Sequence, residues 1–160
     1  MDFDRSEPAD GNQFQAAHAA LIAGSHIRLL QRELLPGSAD PADLARRLYH
    51  APFVVLAHDT ASDPVFFYAN RQAQQLFEMT WEEMVCLPSR HSAAPAGREE
   101  RQRLLDKVAS QGYIDDYSGV RVSKNRKRFL IERASVWNLL TAAGQVIGQA
   151  ATFSAWLPLA

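Results

Sequence analysis

Apolar and polar positions alternate most clearly in the last third of the chain. Residues 115–156, DDYSGVRVSKNRKRFLIERASVWNLLTAAGQVIGQAATFSAW, read as three strands joined by two hairpins. Along 128–140 the odd positions put Phe129, Ile131, Trp137 and Leu139 on one face, with Arg133 and Ser135 among them. The even positions put Leu130, Ala134 and Val136 on the other, with Glu132 and Asn138. Side chains alternate across a strand, so both faces carry apolar residues and both need cover. Alternation does not say which face meets the core. The breaks fall at 124–127 and 141–144, where Asn125 and Gly144 accept positive φ at little cost.

Upstream, the period changes from two to that of a helix. Residues 1–11 are acidic and rich in breakers and read as a frayed tail. Residues 12–35 bring Phe14, Ala17, Leu21, Ile22, Leu29, Leu30 and Leu34 round at helical spacing, ended by Pro36-Gly37-Ser38. A short second helix follows, with Asp40 as N-cap and Pro41 at its first position, stopping before Pro52. Residues 53–58 and 65–69 form a hairpin about the turn 59–64. Asn70 caps a helix over RQAQQLF, and Thr80 with Glu83 makes a capping box for another that ends by Leu87-Pro88. Residues 89–96 are irregular, and 97–111 form a charged amphipathic helix that turns Leu104, Leu105 and Val108 inward until Gly112 stops it. Two strands, a block of short helices and a three-strand meander predict an α+β domain. In it, a five-stranded antiparallel sheet has the central helices on one face and the N-terminal helix as cover for the other. The division is a flexible tail at 1–11, a helical extension at 12–50 and the domain proper at 51–160.

Composition narrows the class. A chain of 160 residues, 47% hydrophobic and 22% charged, is one globular domain of ordinary size. A net charge of −1 gives no general attraction to nucleic acid or anionic membrane. No apolar run approaches the ~20 residues that span a bilayer, and the acidic start is unlike a secretory signal, so a cytoplasmic location is expected. The single cysteine, Cys86, excludes an internal disulfide and any multi-cysteine metal site.

The order of elements is that of a PAS domain. FFYANRQAQQLFEMTWEEMVCLPSR resembles the PAS pattern of a strand ending in asparagine, a short helix, and a Thr-capped helix with paired acids. More closely, DDYSGVRVS, RFLIERASVWNLL and GQAATFSAW resemble the MEKHLA domain. This PAS-like module occurs alone in bacteria and cyanobacteria, and at the C-terminus of plant homeodomain–leucine zipper transcription factors. The resemblance covers roughly 51–156 together with the N-terminal helices of the stand-alone bacterial form. It implies a sensory or interaction module with a PAS-like fold. The chain departs from its plant relatives in carrying no DNA-binding helix or zipper, so nothing about DNA binding transfers. It departs from many PAS domains at Glu78-Met79, where a Gly-aromatic pair is common. It also lacks the Asn-Cys-Arg-Phe motif of flavin-binding light sensors, Cys86 lying upstream of that position.

Weighed one by one, the chemical candidates are few. Cys86, between Val85 and Leu87, reads as a buried small hydrophobe. His18 and His26 are two turns apart on one helix, too far for one metal ion. His91, just ahead of the helix 97–111, is a candidate axial haem ligand set against a plain loop residue. His58-Asp59 and Ser118 lack the elbow a hydrolase needs, so no enzyme is expected. Lys124, Arg126, Lys127 and Arg128 make a solvated hairpin tip rather than a nucleic-acid site. The constellation that stands out is Asp115, Asp116, Arg121, Glu132 and Arg133. Arg121 and Glu132 are placed to pair across strands, as a structural ladder or as part of a site. In the functional reading Arg133 projects from an apolar face into a cavity, paired by Asp115, Asp116 or an anionic ligand. Tyr117 and Trp137 supply an aromatic wall and Asn138 an orienting amide; Tyr68, Asn70, Phe77, Arg121 and Phe129 complete the candidate cavity residues. The expected function is a non-enzymatic sensory or regulatory module that binds a small ligand or protein partner and signals through its sheet face. The N-terminal helix and the sheet are the expected surface for that partner or for a homodimer. The alternative is a dimerisation module whose large side chains fill the core completely. The residues identify no cofactor.

Overall fold

In the computed structural model, which describes residues 2–37, 40–94 and 97–160, the elements run α1 (Ala16–Leu30), α2 (Pro41–Tyr49), β1 (Val54–His58), β2 (Phe66–Ala69), α3 (Arg71–Phe77), α4 (Trp81–Met84), α5 (Arg98–Gln111), β3 (Tyr113–Val122), β4 (Arg128–Leu140), β5 (Val146–Phe153) and β6 (Ala155–Pro158). Met1, Ser38, Ala39, Pro95 and Ala96, included in the segments read from sequence, lie outside the described residues. Every pairing in the sheet is antiparallel, in the order β2-β1-β5-β4-β3, and β6 lies beside the first half of β4. The expected five-stranded sheet is therefore extended by a short sixth strand. β5 and β6 occupy the same side of β4, with the break at Ser154.

Two bulges decide what the faces carry. Between Ile131 and Ala134, β4 advances three residues while β3 advances two, and Arg133 sits in the left-handed region at φ 51°. Between Ile114 and Tyr117 the extra residue is on β3, where Asp116 has φ 57°. An extra residue reverses the in–out phase of everything after it. Phe129 and Ile131 thus face α3 and α4, together with Phe77, Met84 and Phe153. Beyond the bulge Val136 faces α5 with Leu104 and Val108, while Trp137 and Leu139 turn to the opposite face under α1. Uninterrupted alternation puts Phe129, Ile131, Trp137 and Leu139 on one face; the structure divides them at Arg133.

The opposite face is covered by the chain's own N-terminal part. α1 lays Ala19 and Ile22 into a cluster with Val55, Phe67, Trp137 and Leu139. The Trp137 indole Nε1 donates to Ile22 O at 3.2 Å, and Ser25 Oγ accepts from Leu140 N at 2.9 Å. α1 is shorter than the helical spacing of 12–35 predicts. Gln13, Phe14 and Gln15 are all left-handed, with φ of 54–55°, and the helix ends where Gln31 takes φ 59° and bonds back to Ile27 O. That early turn lets residues 2–11 run back across the domain, so the frayed tail expected there is instead a packed strap. Phe3 stacks on Phe67 at 3.7 Å between ring centroids, and His18 Nε2–H donates to Asp4 O at 2.6 Å. Arg5 pairs with Asp59 at 2.7 Å, and its carbonyl accepts from Trp81 Nε1 at 2.8 Å. No segment of the sequence marks this strap, because its aromatic anchor, Phe3, has no periodic companions.

The capping signals in the sequence take the expected form. Asn70 Oδ1 accepts from Ala73 N at the start of α3, and Thr80 and Glu83 exchange both bonds of a capping box at α4. Asp40 is the N-cap of α2 with Pro41 at the first turn, although its carboxylate makes no capping bond. Cys86 is corrected: α4 ends at Met84, and the thiol is exposed rather than buried in an apolar helix.

A candidate arginine-lined cavity under helix α5

α5 crosses the strands of the sheet at β3 and β4. Leu104 and Val108 bury its inner face against Val136. Arg101 lies three residues before Leu104 and seven before Val108, which puts it on the same stripe. Only 6% of it is exposed. The far half of the helix is held by two amides. Asn138 Nδ2 donates to Val108 O at 3.2 Å, and Gln149 Nε2 reaches Leu105 O at 3.3 Å and Asn138 Oδ1 at 3.1 Å. Asn138 therefore fixes the helix to the sheet.

Between α5 and the sheet lies a cavity of about 60 Å³. Leu56, Leu104, Ile131, Ala151 and Phe153 give it apolar walls, with Phe77 and Phe66 at one end. Its polar groups are His58, Ser92, Arg101, Tyr117, Arg121 and Gln149. Arg121 is 7% exposed; its Nη1 donates to the neighbouring Val120 O at 2.9 Å and its Nη2 to Tyr117 Oη at 3.3 Å. The Tyr117 hydroxyl in turn donates to Glu100 of α5 at 3.1 Å. Gly119 makes that arrangement possible, since a Cβ there would meet the Tyr117 hydroxyl at 2.2 Å. Arg101 makes no side-chain hydrogen bond among the described residues, and neither guanidinium forms an ion pair with a described carboxylate. Burial and the nearby charge of Arg121 pull Arg101 down to about 10, which still leaves it charged at neutral pH.

His58, the last residue of β1, is 8% exposed, and its Nδ1–H donates to Asp59 O at 2.8 Å. Burial foremost, with the charge of Arg101 adding to it, lowers the imidazole to about 4 despite that bond and the Asp59 carboxylate. The native state therefore resists a proton that the unfolded chain accepts near 6.5, so stability is intact above pH 6.5 and lost as pH falls towards 4. The expected loss from this group alone is about 3 kcal/mol at pH 4. Urea unfolding of wild type and His58→Gln across that range checks it; parallel curves for the two proteins would contradict it.

The candidate residues from sequence are distributed unevenly. Phe77, Tyr117 and Arg121 line the cavity. Phe129 is one layer behind, edge-on to Phe77 at 5.3 Å. Tyr68 and Trp137 lie in the α1 cluster, Tyr68 against Trp81 at 5.9 Å. Asn70 is fully buried in backbone contacts at the head of α3. Arg133 is exposed at its bulge and borders a separate shallow groove with His26, Arg32 and Ser135. Arg133→Met is expected to change stability by less than about 0.5 kcal/mol, as for other exposed sites; a loss above 2 kcal/mol in urea unfolding would contradict that placement. The Arg121–Glu132 pairing is corrected, since Arg121 stands opposite Phe129 and Glu132 opposite Ala155. Asp115 is taken by Arg32 at 3.1 Å and Ser135 at 2.6 Å. His91 falls in the 3-10 turn Ser89–Ser92, outside the cavity lining. Arg101 and His58 are the residues that sequence reasoning missed as cavity groups. Arg101 carried a usable signal in its helical phase with Leu104 and Val108.

Among the described residues no cluster of three His, Cys, Asp or Glu side chains is placed to hold a metal ion, and no helix is long and apolar enough to cross a membrane.

The MEKHLA domain family model matches residues 16–158. Among solved structures, the PAS domain of a Colwellia psychrerythraea protein superposes with a TM-score of 0.61 at 14% identity, covering 69% of this chain and 91% of its own. A Light-Oxygen-Voltage domain studied with a flavin analogue gives 0.59 at 15% identity, covering 74% and 85%. An RNA-binding Light-Oxygen-Voltage receptor gives 0.64 at 21% identity over 78% of this chain, which spans only 35% of that receptor. These likenesses show the PAS fold. A comparison with curated proteins finds no match. The cavity here does not fit a flavin: at about 60 Å³ it falls far below the ~300 Å³ at which drug-sized ligand pockets begin.

Proposed function

The chain belongs to the MEKHLA domain family, and on that premise we propose that it is a non-enzymatic, cytoplasmic sensory module of the PAS type. It binds a small ligand in the cavity under α5 and passes the event through the sheet to α1 and the strap 2–11. The observation that carries this reading is the sharing of strands. β4 holds Ile131 and Val136 against the cavity side and Trp137 and Leu139 against α1. A ligand that shifts α5 and β4 by a fraction of an ångström therefore changes the seat of α1, because close-packed layers transmit displacement rather than absorb it. A protein partner or a second copy of the chain reads that change at α1 and the sheet.

The small volume of the cavity favours a second reading, an interaction domain whose core is filled. A native mass spectrum of freshly purified protein, with hydrogen exchange on the same sample, separates them. A bound mass that leaves on denaturation, with exchange in α1 altered on its removal, is expected. A bare chain whose α1 exchange responds to no added small molecule would favour the filled interaction domain.

A further inference from the structure

We infer that the cavity under α5 receives a small monoanion with a short apolar body, a short-chain carboxylate, whose charged end lies between Arg101 and Arg121. This rests on the cavity being the ligand site and names the class of ligand it takes. Two guanidinium groups, each more than nine-tenths buried, line one apolar chamber and form no ion pair among the described residues; Asp63 acts on Arg101 only through space and is itself paired with Arg90. Arg121 has only neutral acceptors, a carbonyl and a phenol, and Arg101 has no side-chain hydrogen bond. Burying one such charge unpaired costs several kcal/mol, and burying two side by side adds their repulsion. An anion between them removes both costs, and a carboxylate matches the planar fork of arginine with paired hydrogen bonds.

The remaining walls set the rest of the molecule. Leu56, Leu104, Ile131, Ala151 and Phe153 offer an apolar surface and few further donors, so a compact inorganic anion would leave them without contact. A cavity of about 60 Å³ has room for four to six water-sized groups at roughly 10–15 Å³ each, which is the size of propionate or butyrate. His58, kept neutral by its surroundings, adds no third positive charge, so the site is suited to one carboxylate. Entry is provided by an open cleft between α5 and the β1–β2 turn. His58, Arg101, Leu105 and Gln149 line both cleft and cavity and form the wall between them.

The test is thermal unfolding of the full chain at pH 7 and constant ionic strength, with sodium butyrate, butyramide or inorganic phosphate as probe. At a hundredfold excess over its dissociation constant, butyrate is expected to raise the melting temperature by about 5 °C or more. Butyramide, of the same shape without charge, is expected to leave it unmoved, and phosphate to raise it less than butyrate does. Arg101→Met and Arg121→Met are each expected to abolish the butyrate shift while melting, without ligand, no lower than wild type. That second readout separates loss of the site from loss of the fold. No response to butyrate, an equal response to butyramide, a larger one to phosphate, or an unchanged butyrate shift in both variants would overturn the carboxylate assignment. A native mass spectrum of the same preparation tells that failure from failure of the sensory reading. A bound neutral ligand would leave the sensory module standing with a different ligand, and a bare chain unresponsive to all three probes would remove both.

Discussion

Asn70→Ala is expected to lower the stability of the protein by about 4 kcal/mol, the largest effect of any polar substitution in it. Asn70 has no exposed surface and uses its amide completely. Its Oδ1 accepts from Val55 N and Ala73 N, each at 3.1 Å, while Nδ2 donates to Leu48 O at 3.1 Å and Phe53 O at 2.8 Å. One side chain thus ties the end of α2, the start of β1 and the first turn of α3. Loss of the helix cap alone costs about 1 kcal/mol. Alanine would also take the side-chain partner from Val55 N and Phe53 O in the core, each costing about 1–3 kcal/mol where water does not reach, while Leu48 O keeps its bond from Ala51 N. Asn70→Asp separates the contributions. It keeps both acceptors but loses both donors, and sets a carboxylate against the carbonyls of Leu48 and Phe53. Urea unfolding of both variants is the check. A loss near 1 kcal/mol for alanine and none for aspartate would mean that Asn70 is only a cap.

The second large effect is expected at Trp137. It is fully buried, meets the His26 ring edge-on at 4.7 Å and donates its indole N–H to the carbonyl of Ile22. Phe/Trp→Ala substitutions in cores cost about 3–5 kcal/mol, and here the carbonyl of Ile22 also loses its indole donor. The damage should be directional. Because Trp137 lies on the α1 face and α5 on the other, amide exchange is expected to accelerate in α1 well before it does in α5. Equal acceleration in both, or a stability loss under 1 kcal/mol, would show that Trp137 is not what seats α1. Trp137→Phe keeps most of the volume and loses the donor, and is expected to cost about 1–2 kcal/mol.

Arg133 and Trp137 together show where reading by alternation stops. Both are odd positions of one strand, and alternation makes them neighbours on a face. The left-handed residue at the bulge is an arginine, which carries none of the preference for positive φ that marks a glycine or an asparagine, so nothing in the residue type announces the change of phase. Arg133 consequently goes to the surface, and the cavity charge falls to Arg121 and Arg101. Arg121 was legible because an arginine within a strand rich in apolar residues needs a partner. Arg101 was legible only in part. In a helix as charged as REERQRLLDKVASQ, one more arginine looks solvated until its phase with Leu104 and Val108 is counted.

What the sequence by itself determined is local in origin. The order of helices and strands, the caps at Asn70 and Thr80, and the two hairpins of the meander follow from periodicity and turn chemistry, which act over a few residues and leave a signature there. Its motifs were also long enough to bring in the PAS fold and the MEKHLA family. The tertiary structure alone decided the bulges at Asp116 and Arg133 and the strap laid by Phe3 over Phe67. It also decided that two arginines from different elements share one small chamber. Each of these depends on groups distant in sequence competing for one buried volume. That competition is settled by packing and by the cost of unpaired charge, neither of which any short stretch of chain records.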